Sequence, residues 1–199
     1  MPDYAARRTM MVDTQVRPSD VTKFPIIDAM LAVPREKFVP ANKREAAYMG
    51  ENIDLGGGAV LMEPRTLAKM LDALDISGNE LVLDIGCGYG YSSAVIARMA
   101  EAVVAVDSDD ERAADTQTTL TEMGADNVIV QAGVLAEGAP EHGPYDAITV
   151  QGGVEQVNAA EMEPFCMLVP MATEPPDWKS RDLAALASYV ESIQPGYRP

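Results

Sequence analysis

Residues Glu80 to Tyr91 read Glu-Leu-Val-Leu-Asp-Ile-Gly-Cys-Gly-Tyr-Gly-Tyr, and the helical pattern Ser92-Ser-Ala-Val-Ile-Ala-Arg98 follows at once. A short apolar run that passes through glycines at 86, 88 and 90 into a helix describes a buried strand, a sharp turn and a helix start. Glycines permit that turn, and they let a ligand approach the backbone closely, because no Cβ stands in the way. Their spacing restricts the ligand. A dinucleotide fingerprint places its third glycine five positions after the first, where this chain has Tyr91. A Walker-type phosphate loop needs Gly-Lys-Ser/Thr after the turn, and none is present.

A second strand supports the same unit. Ala102-Val-Val-Ala-Val-Asp107 ends on an acid 21 residues past Gly86. In nucleotide-binding βαβ units a carboxylate at that strand end accepts the ribose hydroxyl protons. Further strands are expected at 127–130 and 145–150, with helices over 64–74, 91–100 and 109–123. Residues 19–32 look helical, with Ser19 or Asp20 as the cap and Pro25 in tension with the middle. Strands that alternate with helices and are themselves almost continuously apolar imply an α/β fold with a doubly wound, mostly parallel sheet. Ligands of such sheets sit beyond the carboxyl ends of the strands, where Gly86–Gly90 and Asp107 fall. The expected organisation is one domain over 1–157, with N-terminal helices and a glycine-rich loop in 1–63 and the sheet core in 64–157. Residues 158–199 form an atypical C-terminal segment, in which 180–193 read as an amphipathic helix with Leu183, Leu186, Val190 and Ile193 on its apolar face.

Composition removes several function classes. The net charge is −16, and residues 45–178 carry 24 acidic against four basic side chains. That field opposes nucleic acid and anionic membrane surfaces, both of which need a basic footprint. Apolar runs fall short of a bilayer span, and the first residues lack a signal-peptide pattern, so a cytoplasmic protein is expected. Cys87 and Cys166 are the only cysteines and His142 the only histidine, which leaves no metal-ligand set. Cys87, inside the glycine turn, reads as a small tolerated residue rather than a reactive thiol, and His142 as a surface loop residue.

The Gly-x-Gly-x-Gly turn after an acid-bearing strand resembles motif I of the class I methyltransferases, which bind S-adenosyl-L-methionine. The N-terminal third narrows the resemblance. Ala29-Met-Leu-Ala-Val-Pro-Arg-Glu-Lys-Phe-Val-Pro40, then Ala47-Tyr48, is similar to the protein-L-isoaspartate O-methyltransferases. Met11-Val12, Gln15 and Gly143-Pro-Tyr-Asp-Ala-Ile148 fit the same family. The likeness runs from residue 7 to about 157. It implies methyl transfer to the α-carboxylate of isoaspartyl residues in damaged proteins or peptides, a repair reaction. By the same resemblance Asp84, Gly86, Cys87, Gly88 and Gly90 shape the cofactor pocket. Asp107, with Ser108 beside it, holds the ribose, and Gly133, Val134 and Leu135 lie near the adenine. No general base is implied, since a carboxylate is ionised at neutral pH.

Three departures set this chain apart from the family pattern. The acceptor loop usually reads Gln-Thr-Ile-Ser-x-Pro and here reads Ala59-Val60-Leu61-Met62-Glu63-Pro64, so Met62 replaces a serine hydroxyl. The usual Gly-Asp-Gly after the third strand is Gly133-Val134-Leu135. Loss of that acid is expected to weaken cofactor binding by about 1–3 kcal/mol. Nothing after Val157 matches the family's helix, Gly-Gly turn and closing hairpin; either the hairpin is missing or a helical tail takes its place, and the tail helix could dock on a partner. Two further readings therefore stand beside isoaspartyl repair: a methyltransferase with another, less polar acceptor, and a catalytically silent binding or scaffold protein.

Overall fold

A computed structural model describes residues 3–152 and 166–168. The chain opens with helix α1 (Tyr4–Met11), capped by the Asp3 carboxylate, which accepts from the Ala6 N–H at 3.0 Å. A π-turn over Val12–Val16 follows and buries both of its terminal valines. Helix α2 runs Phe24–Ala32. It begins later than the sequence pattern suggests, because Pro25 lies in its first turn. There the missing N–H has no intrahelical partner to lose, so the proline starts the helix instead of straining its middle. Arg17–Ser19 is a separate 3-10 turn closed by Asp20 at φ 64°.

The glycine-rich stretch that follows is an antiparallel hairpin of β1 (Ile53–Gly56) and β2 (Ala59–Leu61). Its turn uses Gly56, Gly57 and Gly58, all at positive φ, which a side chain would resist. Helix α3 (Pro64–Leu74) leads from the hairpin into the core and buries Leu67, Met70, Leu71 and Leu74, the face expected from the sequence.

The sheet contains β3 (Leu81–Ile85), β4 (Ala102–Asp107), β5 (Val128–Ala132), β6 (Ala147–Val150) and β7 (Cys166–Leu168), joined in the order β5-β4-β3-β6-β7. Every described pairing within it is parallel. Helix α4 (Tyr91–Ile96) links β3 to β4, and α5 (Asp110–Glu122) links β4 to β5. The expected α/β architecture and its N-terminal helical extension are therefore present. Helix α4 stops four residues before its expected end. The Asn127 side-chain amide donates to the carbonyls of Ala97, Ala100 and Glu101 and closes the chain there.

Strand alternation divides the interior. Val82, Val103, Ala105 and Ala147 face a large core shared with α2, α3, α4 and Leu120 of α5. Leu83, Val104, Val106 and Ile148 face the other side, where Ala139 and Tyr145 cover them. Strand β7 falls inside the segment that showed no clear strand pattern, and only three residues long, it carries too little alternation to be read. The expectations for 153–165 and 169–199, including the 180–193 helix and its partner docking, lie outside the described residues.

Order reverses at β3, whose neighbours β4 and β6 lead the chain to opposite sides. The crevice beyond the carboxyl end of such a strand is where open α/β sheets take ligands.

Candidate functional site

The turn after β3 is held from three directions. The N–H groups of Gly86 and Cys87 donate to the Val106 carbonyl at 2.8 and 3.2 Å. The Thr116 hydroxyl donates to the Gly88 carbonyl at 3.0 Å, and the Gly88 N–H donates to Asp107 Oδ2 at 2.9 Å. The glycines are required by geometry as well as by φ. A Cβ on Gly90, at φ +86°, would stand 2.6 Å from Thr116 Cγ2, and one on Gly88, at φ +58°, would stand 2.9 Å from Leu55 Cδ1. The turn is thus clasped between α5 and the β1–β2 hairpin.

Asp107 ends β4 at 1% exposure. Its Oδ1 accepts from Arg112 Nε at 3.0 Å, Arg112 Nη2 at 2.5 Å and the Asp109 N–H at 3.0 Å. Oδ2 accepts only from Gly88. A carboxylate has about four lone-pair positions, two per oxygen, so Oδ1 is saturated and Oδ2 keeps one unused position. Arg112 was not apparent from the sequence. Its signal would have been a basic residue one turn into α5, five positions after the strand-end acid.

Asp84, near the same end of the neighbouring strand β3, is completely buried. Its Oδ2 accepts from the hydroxyls of Ser92 and Ser93, each at 2.6 Å, and its Oδ1 from Thr149 Oγ1 and Gln151 Nε2, each at 2.7 Å. These four donors tie β3 to the first turn of α4 and to the end of β6. Asp84 therefore shapes the turn by fixing its neighbours and presents no free oxygen.

Burial pushes the Asp84 carboxyl above the ordinary aspartate range, and the four donors pull part of that shift back. Between the ordinary and the raised value, the folded chain keeps a proton that the unfolded chain has released. Its contribution to stability is complete below the ordinary range and declines as pH rises through that window. Asp84→Asn removes the titrating group. The expected result is a flatter rise in urea sensitivity between about pH 4 and the raised value than in the unaltered chain. An unchanged slope would assign the effect to another group.

Gly133, Val134 and Leu135 follow β5 at the same end of the sheet, and the Gly133 N–H donates to the Asp107 carbonyl at 2.9 Å. Val134 and Leu135 are 59% and 37% exposed, and Leu135 Cδ1 lies 3.9 Å from where a Cβ on Gly86 would stand. Two exposed apolar side chains thus border a carboxylate and a tight glycine turn. Ser108 is exposed beside Asp107. Cys87 is buried, and its thiol is pushed up by burial and by the nearby carboxylates of Asp84 and Asp107, which leaves it inert.

Residues 59–62 end the hairpin that contacts the turn. Ala59 and Val60 are half-buried, while Leu61 and Met62 are buried at 7% and 4%. Met62 packs into the core, and its carbonyl accepts from Arg35 Nη2 at 2.5 Å. Arg35, from the Val33-Pro34-Arg35-Glu36 block, is fully buried and also donates from Nε to the Ala47 carbonyl at 2.6 Å. Its guanidinium carbon sits 4.7 Å over the Tyr91 ring, at the first residue of α4. Gln15 adds a donor to the Tyr48 carbonyl at 3.0 Å. The motif residues of the N-terminal third are thus backbone holders that seat the 47–62 region against the glycine turn. Among the described residues, no group of three or more His, Cys, Asp or Glu could hold a metal ion, and no helix is long and apolar enough to cross a membrane.

Comparison with known proteins gives one consistent answer. The family model for protein-L-isoaspartate(D-aspartate) O-methyltransferase matches residues 7–165. A protein-L-isoaspartate O-methyltransferase of Roseiflexus castenholzii is 34% identical over 157 residues, covering 79% of this chain and 72% of that one. A second, from Pelobacter propionicus, is 37% identical over 151 residues, covering 76% and 67%. A solved protein-L-isoaspartate O-methyltransferase superposes with a TM-score of 0.65 at 27% identity, covering 75% of this chain and 49% of that one, so the match spans about half of its length. A Plasmodium falciparum structure described as a putative enzyme of this type in complex with S-adenosyl-L-homocysteine has a TM-score of 0.61 at 16% identity, covering 79% and 77%, and supports the fold alone. The fold is that of the class I methyltransferases, and the chain belongs to the protein-L-isoaspartate(D-aspartate) O-methyltransferase family.

Proposed function

We propose that this protein uses S-adenosyl-L-methionine to methylate a carboxylate, with isoaspartyl residues of damaged proteins or peptides as acceptor. The observation that carries the reading is the meeting, in a chain of this family, of the glycine turn, Asp107 and the β1–β2 hairpin at one end of the sheet. The residues suit the cofactor. Asp107 Oδ2 keeps an acceptor position for a ribose hydroxyl, Val134 and Leu135 offer apolar surface to a purine face, and the Gly86–Gly90 turn lies beside them for the amino-acid portion. When bound, the cofactor supplies an electrophilic methyl group on a sulfonium centre.

What the chain must do is limited by the acceptor's own chemistry. The acceptor carboxylate is ionised at neutral pH and needs no base. One of its oxygens forms the C–O bond as the methyl–sulfur bond breaks, leaving a methyl ester and a neutral thioether. The protein holds the oxygen in line and keeps water away, which is catalysis by proximity. In this reading residues 64–157 bind the cofactor, and the hairpin and helices of 1–63 present the acceptor.

A second reading has a specific observation behind it. Met62 stands where the family pattern has a serine, and its side chain is buried, so the acceptor segment offers main-chain groups and small apolar surfaces. That suits a less polar acceptor. The test is transfer of labelled methyl to an isoaspartyl peptide and to its aspartyl twin, counted as base-labile ester. Label on the isoaspartyl peptide alone is expected. Label on neither, with binding of S-adenosyl-L-homocysteine intact, would transfer the case to another acceptor, and no binding at all would leave a scaffold role. The Met62→Ser variant is expected to raise kcat/KM for the isoaspartyl peptide several-fold, by analogy with hydrogen bonds made in a transition state. It is also expected to lower stability by about 2–4 kcal/mol through the vacated core volume.

A further inference from the structure

Arg112 touches both halves of the site. Two of its guanidinium nitrogens, Nε and Nη2, hold Asp107 Oδ1. The third, Nη1, lies beside the hairpin turn, at ordinary packing distance: a Cβ on Gly57 would stand 3.5 Å from it. Nη1 also lies 3.8 Å from Asp109 Oδ2. The side chain is 9% exposed, so the guanidinium is enclosed between β4, α5 and the turn that joins β1 to β2. The hairpin meets the glycine turn a second time through Leu55 at Gly88.

We propose that Arg112 is a positioning residue that couples the nucleoside-binding carboxylate to the acceptor hairpin. Saturation of Oδ1 leaves the open position on Oδ2 and fixes the carboxylate's orientation. A ribose hydroxyl that engages Oδ2 tightens the same carboxylate on which Arg112 rests. The third nitrogen carries that restraint to Gly56–Gly58 and so to Ala59–Met62. Coupling of this kind is reciprocal, so cofactor binding and acceptor binding strengthen each other. The proposal rests on the cofactor reading above.

An arginine and a lysine separate the two jobs, because only the planar fork can hold a carboxylate and reach a second partner. Lysine at 112 keeps a cation for Asp107 and gives up the nitrogen that lies beside the hairpin turn. The probe is S-adenosyl-L-homocysteine, with binding followed by calorimetry and hairpin order by hydrogen exchange of residues 53–61. In the unaltered protein, binding is expected to slow exchange in that stretch. In Arg112→Lys, the affinity is expected to fall less than in Arg112→Gln while the slowing in 53–61 disappears, as for a coupling that commonly amounts to roughly 5–150-fold. In Arg112→Gln, both the affinity and the slowing are expected to fall. At saturating cofactor the lysine variant should show a raised acceptor KM with little change in kcat, a split that general loosening would not give. Ligand-dependent slowing that survives in Arg112→Lys, or that never occurs in the unaltered protein despite binding, would overturn the proposal. Absence of any binding by the unaltered protein would overturn the cofactor reading and this proposal with it.

Discussion

Asp107→Ala is expected to abolish S-adenosyl-L-homocysteine binding and to lower folding stability by about 3–5 kcal/mol, the range for removing one partner of a buried ion pair. Alanine removes the acceptor for four donors: two nitrogens of Arg112 and the N–H groups of Gly88 and Asp109. The Arg112 guanidinium is then left enclosed with only Asp109, 3.8 Å away and half-exposed, to answer its charge. Asp107→Asn keeps one oxygen and turns the other position into a donor, so its loss should be smaller, about 1–3 kcal/mol for a mismatched buried hydrogen bond. Stability and binding can be separated. The double variant Asp107→Ala, Arg112→Leu removes both charges, and a buried pair replaced by apolar groups is often neutral for folding. It is expected to regain much of the lost stability, measured by denaturant unfolding, and to regain no binding, measured by calorimetry. Binding restored in the double variant would show that Asp107 does not hold the nucleoside.

The sequence exposed those parts of the site whose chemistry is local. Gly86, Gly88 and Gly90 announce a turn because each needs a positive φ, and the adjoining apolar runs announce β3 and β4 because a parallel strand is buried on both faces. Asp107 was visible through its place at a strand end. What stayed hidden depends on contacts distant in sequence. Asp84 looked like a pocket residue, yet it is satisfied by Ser92 and Ser93 nearby and by Thr149 and Gln151, which lie 65 and 67 positions away. Arg112 could be read only as one more charge on an acidic helix until α5 was folded against β4. Strand β7 was missed because three residues cannot display a period. The α2 start was misplaced since Pro25 fits either a strained helix middle or a helix first turn, and only the packing of Ile26, Ile27 and Met30 decides between them.

Arg35 shows the same limit from the side of stability. Its motif carried the family resemblance, while its task appears only in three dimensions: one buried guanidinium holds the carbonyls of Ala47 and Met62 and lies over Tyr91. Among the described residues no carboxylate pairs with it, and its Nη1 and the Tyr91 hydroxyl make no hydrogen bond within 3.5 Å, the Tyr91 ring being its neighbour. Burial accordingly pushes the guanidinium below its ordinary range. A cation kept under such conditions must be holding something that a smaller residue cannot. Arg35→Ala leaves two buried carbonyls without donors and opens a side-chain-sized void beside Tyr91, for an expected loss of about 4 kcal/mol. Arg35→Lys reaches one carbonyl at most and should lose roughly half of that. Denaturant midpoints measure both, and a loss below about 1 kcal/mol for alanine would reduce the residue to filler. Function should fall unevenly. The Met62 carbonyl anchors the proposed acceptor segment and Tyr91 begins α4 directly after the glycine turn, so the lysine variant loosens the first against the second while Asp107 keeps its own partners. The expected signature at a temperature where Arg35→Lys is folded is a reduced kcat with a nearly unchanged Kd for S-adenosyl-L-homocysteine, because in-line transfer tolerates little misplacement of the acceptor oxygen.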